Sequence, residues 1–114
     1  MMRGDIYWVQ LDPTQGSEIH KKRPCMILSA SPINKARKTV VVVPFSSSTT
    51  VSPPITVEIQ CMQQPGIAVI DQIRTVDKRR LGSFIEHIHE QDSEHIHEQD
   101  LERIEQALKQ VLVL

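Results

Sequence analysis

Arg23 stands directly before Pro24 at the mouth of a continuous apolar run, and Ser46 and Ser47 follow a second such run, VVVPF at 41–45. A guanidinium fixed at one strand end and a hydroxyl at another suit one task in particular. They can hold a phosphate, donate hydrogen bonds to the negative charge developing on it, and shuttle protons without a metal ion. Two further pairs occupy comparable places. Ser17 and Glu18 lie in a glycine-bearing loop, and Gln72 and Arg74 straddle another apolar strand end. Taken singly, each residue has a plainer reading. An arginine before a strand anchors a loop, and hydroxyls at a strand end cap a turn. His20 near the first loop reads as a solvated surface histidine, and no catalytic histidine pair is evident. No P-loop, GxGxxG, GxSxG or HExxH motif occurs. The RGD at 3–5 opens a strand and is not read as an adhesion motif.

Short strands must position these groups. Asp5–Leu11 alternates in part, as a half-buried strand does, and 12–16 reads as a turn. Pro24–Leu28 and Val40–Val43 are short, wholly apolar runs, expected as strands buried on both faces. Between them, Ser31-Pro32 predicts a helical turn with proline in its first position. Ile55–Ile59, Ile67–Ile73 and Ser83–Ile88 complete the strand set, and Ser46–Ser52 predicts a mobile loop. Leu101, Ile104, Leu108, Val111 and Leu112 recur at helical spacing, with Ala107 on the same side. Many strands followed by one helix predict a mainly β (α+β) fold: a small, curved antiparallel sheet or barrel with a packed C-terminal α-helix. No domain boundary is visible, so 1–114 reads as a single domain.

The net charge of −1 lacks the basic excess of a chain wholly devoted to nucleic acid. Its distribution matters more. Residues 20–38 carry Lys21, Lys22, Arg23, Lys35, Arg37 and Lys38 and no acid, whereas 86–105 carry eight acids against Arg103. A basic front and an acidic rear predict a locally positive face. Cys25 and Cys61 sit in apolar surroundings without a CxxC or signal peptide, and read as reduced core thiols of a cytoplasmic protein. No apolar run reaches the ~18 residues of a membrane helix.

The heptapeptide EHIHEQD occurs twice, at 86–92 and 94–100. His87, His89, His95 and His97 are spaced so that pairs share a strand face and could ligate zinc. Duplication explains the histidine count without a metal, and no metal site is assigned.

Four blocks in order resemble the MazF/PemK family of toxin endoribonucleases. They are Arg3–Asp5 with Tyr7, Leu11–Thr14, Gly16–Glu18 and Arg23-Pro24; Val40–Pro44 with Ser46-Ser47; DQIRTVDKRRLG at 71–82; and LERIEQALKQVLVL at 101–114. The resemblance implies an SH3-like barrel with a C-terminal helix, assembled as a homodimer. It implies sequence-specific cleavage of single-stranded RNA, mainly mRNA, without a metal ion or other cofactor. Arg23 and Ser46 fall on the family's catalytic positions. Ser46 stands where many relatives have threonine, keeping the hydroxyl but losing the methyl that restricts its rotamer. Ser17, Glu18, Ser47, Gln72 and Arg74 would line the RNA groove. In-line attack by the RNA's 2′-hydroxyl would leave a 2′,3′-cyclic phosphate and a 5′-hydroxyl. A cognate antitoxin would block the site, and operator DNA would be bound mainly through the antitoxin complex. The alternative is a non-catalytic binding module of the same fold that inhibits a protein target, as CcdB-type gyrase poisons do.

Overall fold

The computed structural model describes residues 1–12, 15–19, 21–48, 50–88 and 96–114, with side chains from 100 onward in the last segment. Seven strands, β1 (Asp5–Gln10), β2 (Lys22–Ile27), β3 (Thr39–Ser46), β4 (Thr56–Cys61), β5 (Gln64–Val69), β6 (Arg74–Asp77) and β7 (Leu81–His87), form one antiparallel sheet. A short helix, α1 (Ser31–Ala36), joins β2 to β3, and α2 (Ile96–Leu112) closes the chain. The sheet runs β4-β5-β3-β2-β1-β7, with β6 also paired to β3. The mainly β architecture with a C-terminal helix follows the sequence reading. Among the described residues, no helix is long and apolar enough to cross a membrane.

β3 organises the sheet. Its first half, Thr39–Val42, pairs with β6, its middle with β2, and its last residues, Phe45 and Ser46, with β5. Side chains alternate across a strand, and both faces of β3 are covered. Val40 and Val42 pack with Val9, Leu11, Cys25, Ile27 and Val76. Val43 and Phe45 join Ile6, Met26, Ile59, Ile70 and the helix residues Leu101, Ile104 and Ala107. The apolar runs of β2 and β3 therefore are buried on both sides, as their lack of alternation predicts. On α2, Leu108 and Val111 pack against the core, but Leu112 is 48% exposed.

Two expectations need correction. The run 67–73 is not one strand: β5 ends at Val69, a 3-10 turn takes Ile70–Gln72, and β6 begins at Arg74. The strand expected at Val40–Val43 spans Thr39–Ser46 and so has Ser46 at its end, as the reading of that hydroxyl expects, because β5 supplies its backbone partner. The two EHIHEQD copies also differ in role. The first begins at the end of β7, where His87 Nδ1 meets Asp5 Oδ1 at 2.5 Å in a buried pair and Ile88 enters the core. The second ends inside α2. There the buried Asp100 accepts from the Gln60 N–H at 2.9 Å and pairs with Arg103, which also donates to the Glu58 carbonyl. His89 and His95 lie outside the described residues, as do Pro13, Thr14, His20 and Thr49.

Candidate active site

The register of β2 and β3 sets Cys25 opposite Pro44 and Met26 opposite Val43. Arg23 and Ser46 each lie two residues beyond the last of these pairs, Cys25 with Pro44, where Phe45 and Ser46 pair with β5 instead. Both residues line one cavity of about 330 Å3, near the lower end of the ~300–1,000 Å3 typical of small-ligand sites. Lys22 and Ser47 line it too, so its described wall carries two cations and no carboxylate. A larger depression, about 980 Å3, lies between α2 and residues 51–58. Glu58, Glu102 and Glu105 face it against Arg103 alone, which disfavours an anion there.

Ser46 is held from two directions. Its Oγ accepts the Ser48 N–H at 3.3 Å, which leaves the hydroxyl hydrogen able to donate. Its carbonyl faces Gly66 so closely that a Cβ on that glycine would sit 2.6 Å from the oxygen. Only glycine lets β5 approach β3 here, and a glycine within a strand is the one local signal of such an approach. Sequence reasoning missed the rest of the wall: Trp8, opposite Pro24, and the β4–β5 hairpin with Met62, Gln64 and Pro65. Met62 and Gln63 carry the left-handed backbone of this turn, with φ of 53° and 61°. Such angles cost roughly 1–2 kcal/mol for each non-glycine residue. The Met62 N–H is satisfied by Glu86 Oε2 at 3.1 Å.

Gln72 and Arg74 hold the loop between β1 and β2. Gln72 Oε1 accepts from the Ile19 N–H at 3.1 Å, and Arg74 Nη2 donates to the Ile19 carbonyl at 3.0 Å. Arg80 steadies the other end of that loop through the carbonyls of Gln10 and Asp12. Ser17 and Glu18 sit exposed on the loop just before Ile19, outside the described cavity wall. Glu18 Oε1 accepts the Gln15 N–H at 2.7 Å. The seven candidate residues thus form two groups: Arg23, Ser46 and Ser47 at the cavity, and Ser17, Glu18, Gln72 and Arg74 on or under the adjoining loop.

Thiol chemistry does not fit this site. Burial pushes Cys25 up to about 12, although the charges of Arg74 and Arg23 pull the other way. Burial, then the charge of Glu86, pushes Cys61 to about 12 as well. Both stay protonated at neutral pH and are poor nucleophiles. No group of three potential metal-ligating side chains comes together among the described residues.

Comparison with known proteins places this geometry. Residues 2–112 match the model of the PemK-like, MazF-like toxins of type II toxin-antitoxin systems. The chain is 34% identical to the endoribonuclease PemK of Escherichia coli over 95 residues, covering 79% of this chain and 71% of that protein. It is 36% identical to the endoribonuclease MazF of Staphylococcus saprophyticus over 86 residues, 71% of this chain and 72% of that one. Its fold is similar to that of MazF from Deinococcus radiodurans, with a TM-score of 0.80 at 20% identity, over 100% of this chain and 97% of the other. A mycobacterial endoribonuclease solved with its cognate antitoxin gives a TM-score of 0.74 at 23% identity, over 100% and 96% of the two chains.

Proposed function

The chain belongs to the PemK-like, MazF-like toxin family, and from that premise we propose that it is a sequence-specific endoribonuclease that cuts single-stranded RNA, chiefly mRNA, without a metal ion. The observation that carries the reading is that Arg23 and Ser46 line one cavity, together with Lys22 and without a carboxylate on its described wall. The scissile phosphate would sit between them. The ribose 2′-oxygen attacks phosphorus, its proton passes to solvent, and the phosphorus–5′-oxygen bond breaks. Arg23 donates hydrogen bonds to the non-bridging oxygens of the pentavalent phosphorus, where charge accumulates. A guanidinium is a very weak acid, but the departing alkoxide is a strong base. Arg23 can therefore protonate the leaving 5′-oxygen and regain a proton from solvent, which balances the one released by the 2′-hydroxyl. The Ser46 hydroxyl orients the phosphate. The products are a 2′,3′-cyclic phosphate and a 5′-hydroxyl.

In this reading Ser47 extends the phosphate contacts, and Ser17, Glu18, Gln72 and Arg74 shape the loop side of the RNA groove. Unstacked bases are read by side chains that line such a groove. The protein works in the cytoplasm as a homodimer of SH3-like barrels, neutralised by a cognate antitoxin whose acidic segment occupies the cavity. Operator DNA is bound mainly through the antitoxin complex. A non-catalytic gyrase-poison-like role is set aside, because the curated relatives described above are endoribonucleases.

The test is incubation of the purified protein with a long single-stranded RNA in EDTA, beside Arg23→Ala. Cleavage by the parent alone, with 5′-hydroxyl ends, is expected. Equal cleavage by Arg23→Ala would remove Arg23 from the mechanism. No cleavage by the parent across several RNAs would overturn the assignment.

A further inference from the structure

Described cations of the acid-free segment divide between two places. Lys22 and Arg23 line the cavity where β3 ends at Ser46. Lys35, Arg37 and Lys38 lie just before β3 begins at Thr39. The two sites are seven residue steps apart along one strand, a path of about 23 Å at ~3.3 Å per residue. At the far end, Thr39 pairs with Asp77 and the Lys78 N–H bonds the Lys38 carbonyl at 2.9 Å, which brings Lys78 and Arg79 alongside. The five cations and Asp77 surround a depression of about 580 Å3. Asp77 is engaged by Arg79 at 3.0 Å, and Lys78 Nζ donates to the Asn34 carbonyl. Lys35, Arg37 and Lys38 are exposed and form no ion pair with a described residue.

We propose that this basic depression is a second RNA-binding surface, which takes the sugar-phosphate backbone of the strand whose scissile phosphate lies at Arg23 and Ser46. The inference rests on the nuclease reading above. One observation ties the depression to the cavity, and a second favours RNA over an acidic protein segment. β3 physically links the depression to the cavity, so one extended chain can reach both. Ala36 is the one apolar side chain on the described wall. A docked protein segment draws its affinity from buried apolar and aromatic anchors, whereas a phosphate backbone needs only cations. Each phosphate neutralised on a single strand steepens the dependence of log affinity on log salt by about 0.7. Three contacts from Lys35, Arg37 and Lys38 therefore add a slope of about 2, or roughly a 20-fold greater loss of affinity between about 50 and 200 mM salt.

The experiment uses fluorescence anisotropy with RNAs carrying a 2′-deoxyribose at the cleavage position. One RNA is short and covers only that sequence; the other is about 30 nucleotides long. The full chain should show the extra salt slope of about 2 on the long RNA only. The variant Lys35→Gln, Arg37→Gln, Lys38→Gln should lose that extra slope. It should bind the short RNA, and cut its all-ribose form, within about twofold of the parent. A variant that keeps the extra slope, or loses short-RNA binding equally, overturns the inference. Duplex DNA or polyglutamate whose binding depends on the three cations, while the long-RNA slope does not, also overturns it in favour of that partner. A parent that binds both RNAs with the predicted slopes but cuts neither all-ribose form refutes the nuclease reading and supports this surface.

Discussion

Arg23 and Ser46, each two residues beyond the paired Cys25 and Pro44, line one cavity of about 330 Å3 at the ends of β2 and β3. Neither residue depends on a flexible loop for its place. Removal of one preorganised donor from such a site typically costs about 10²–10³ in kcat. Ser46→Ala should lose about that much with an unchanged Tm. Ser46→Thr, which keeps the hydroxyl and narrows its rotamers, should stay within about threefold of the parent. Arg23→Lys should lose most of the rate, since a point charge cannot present the planar fork of donors. Single-turnover cleavage of a defined RNA reads all three; parental rates for Ser46→Ala would remove the hydroxyl from the chemistry.

Gly66 sets the distance between β5 and Ser46. A Cβ there would fall 2.6 Å from the Ser46 carbonyl oxygen, a backbone atom that cannot rotate away. Gly66→Ala should cost about 1–3 kcal/mol through overpacking, visible as a Tm lower by roughly 4–10 °C. It should also lower kcat, because the strand end that carries Ser46 must shift. A stable Gly66→Ala protein of full activity would show that β3 and β5 tolerate separation.

Ile19 is the point where Gln72 and Arg74 grip the loop, one through its N–H and the other through its carbonyl. Each bond should contribute about 0.5–1.5 kcal/mol to the local order of the loop. Gln72→Ala should raise amide exchange at Ile19 about tenfold without unfolding the protein. If the loop shapes the RNA groove, KM should rise in the same variant while kcat changes little. Unchanged exchange at Ile19 would show that the loop is ordered by other contacts.

Local pattern made some of this arrangement readable and long-range pairing hid the rest. The two apolar runs and their polar ends were visible as residues, and their chain order within the family resemblance pointed to Arg23 and Ser46. Ser46 was legible as a strand end, but the paired length of β3 past Val43 was not, because Pro44 and a run of serines break the apolar pattern. It is β5, arriving from twenty residues downstream, that extends the pairing. The strand at 67–73 was overextended because Ile70 and Ile73 continue the apolar pattern through a 3-10 turn, and RTVD is too short and polar to announce β6. Trp8 and Met62 reach the cavity only through the register of β1 on β2 and the closing of the β4–β5 hairpin, neither of which a single sequence encodes locally.

Trp8 is the chain's single tryptophan and lies on the wall of the cavity with Arg23 and Ser46. A base flanking the scissile phosphate can stack on its half-buried indole, an interaction worth about 1–3 kcal/mol per base. Titration with an uncleavable RNA should quench the intrinsic fluorescence saturably. Trp8→Leu should raise KM about tenfold, and Trp8→Phe, which keeps a ring to stack on, should raise it less. Fluorescence that stays constant through saturation would place the bound RNA away from this wall.

Cys25 links the core beneath the site to alkaline stability. In the unfolded chain its thiol ionises near 9.0, whereas burial in the native protein holds the proton until about 12. Between those values the native state binds more protons than the unfolded state, so stability falls as pH rises. The contribution is fully present below about pH 9 and is lost as pH climbs toward about 12, with a limiting slope near 1.4 kcal/mol per pH unit. Cys25→Ala removes the titrating group, at the cost of lower stability throughout. Its urea midpoint should therefore decline less steeply with pH than the parent's between about pH 9 and 11. Parallel declines would mean that the thiol titrates alike in both states and that water reaches Cys25 beside Arg23 and Arg74.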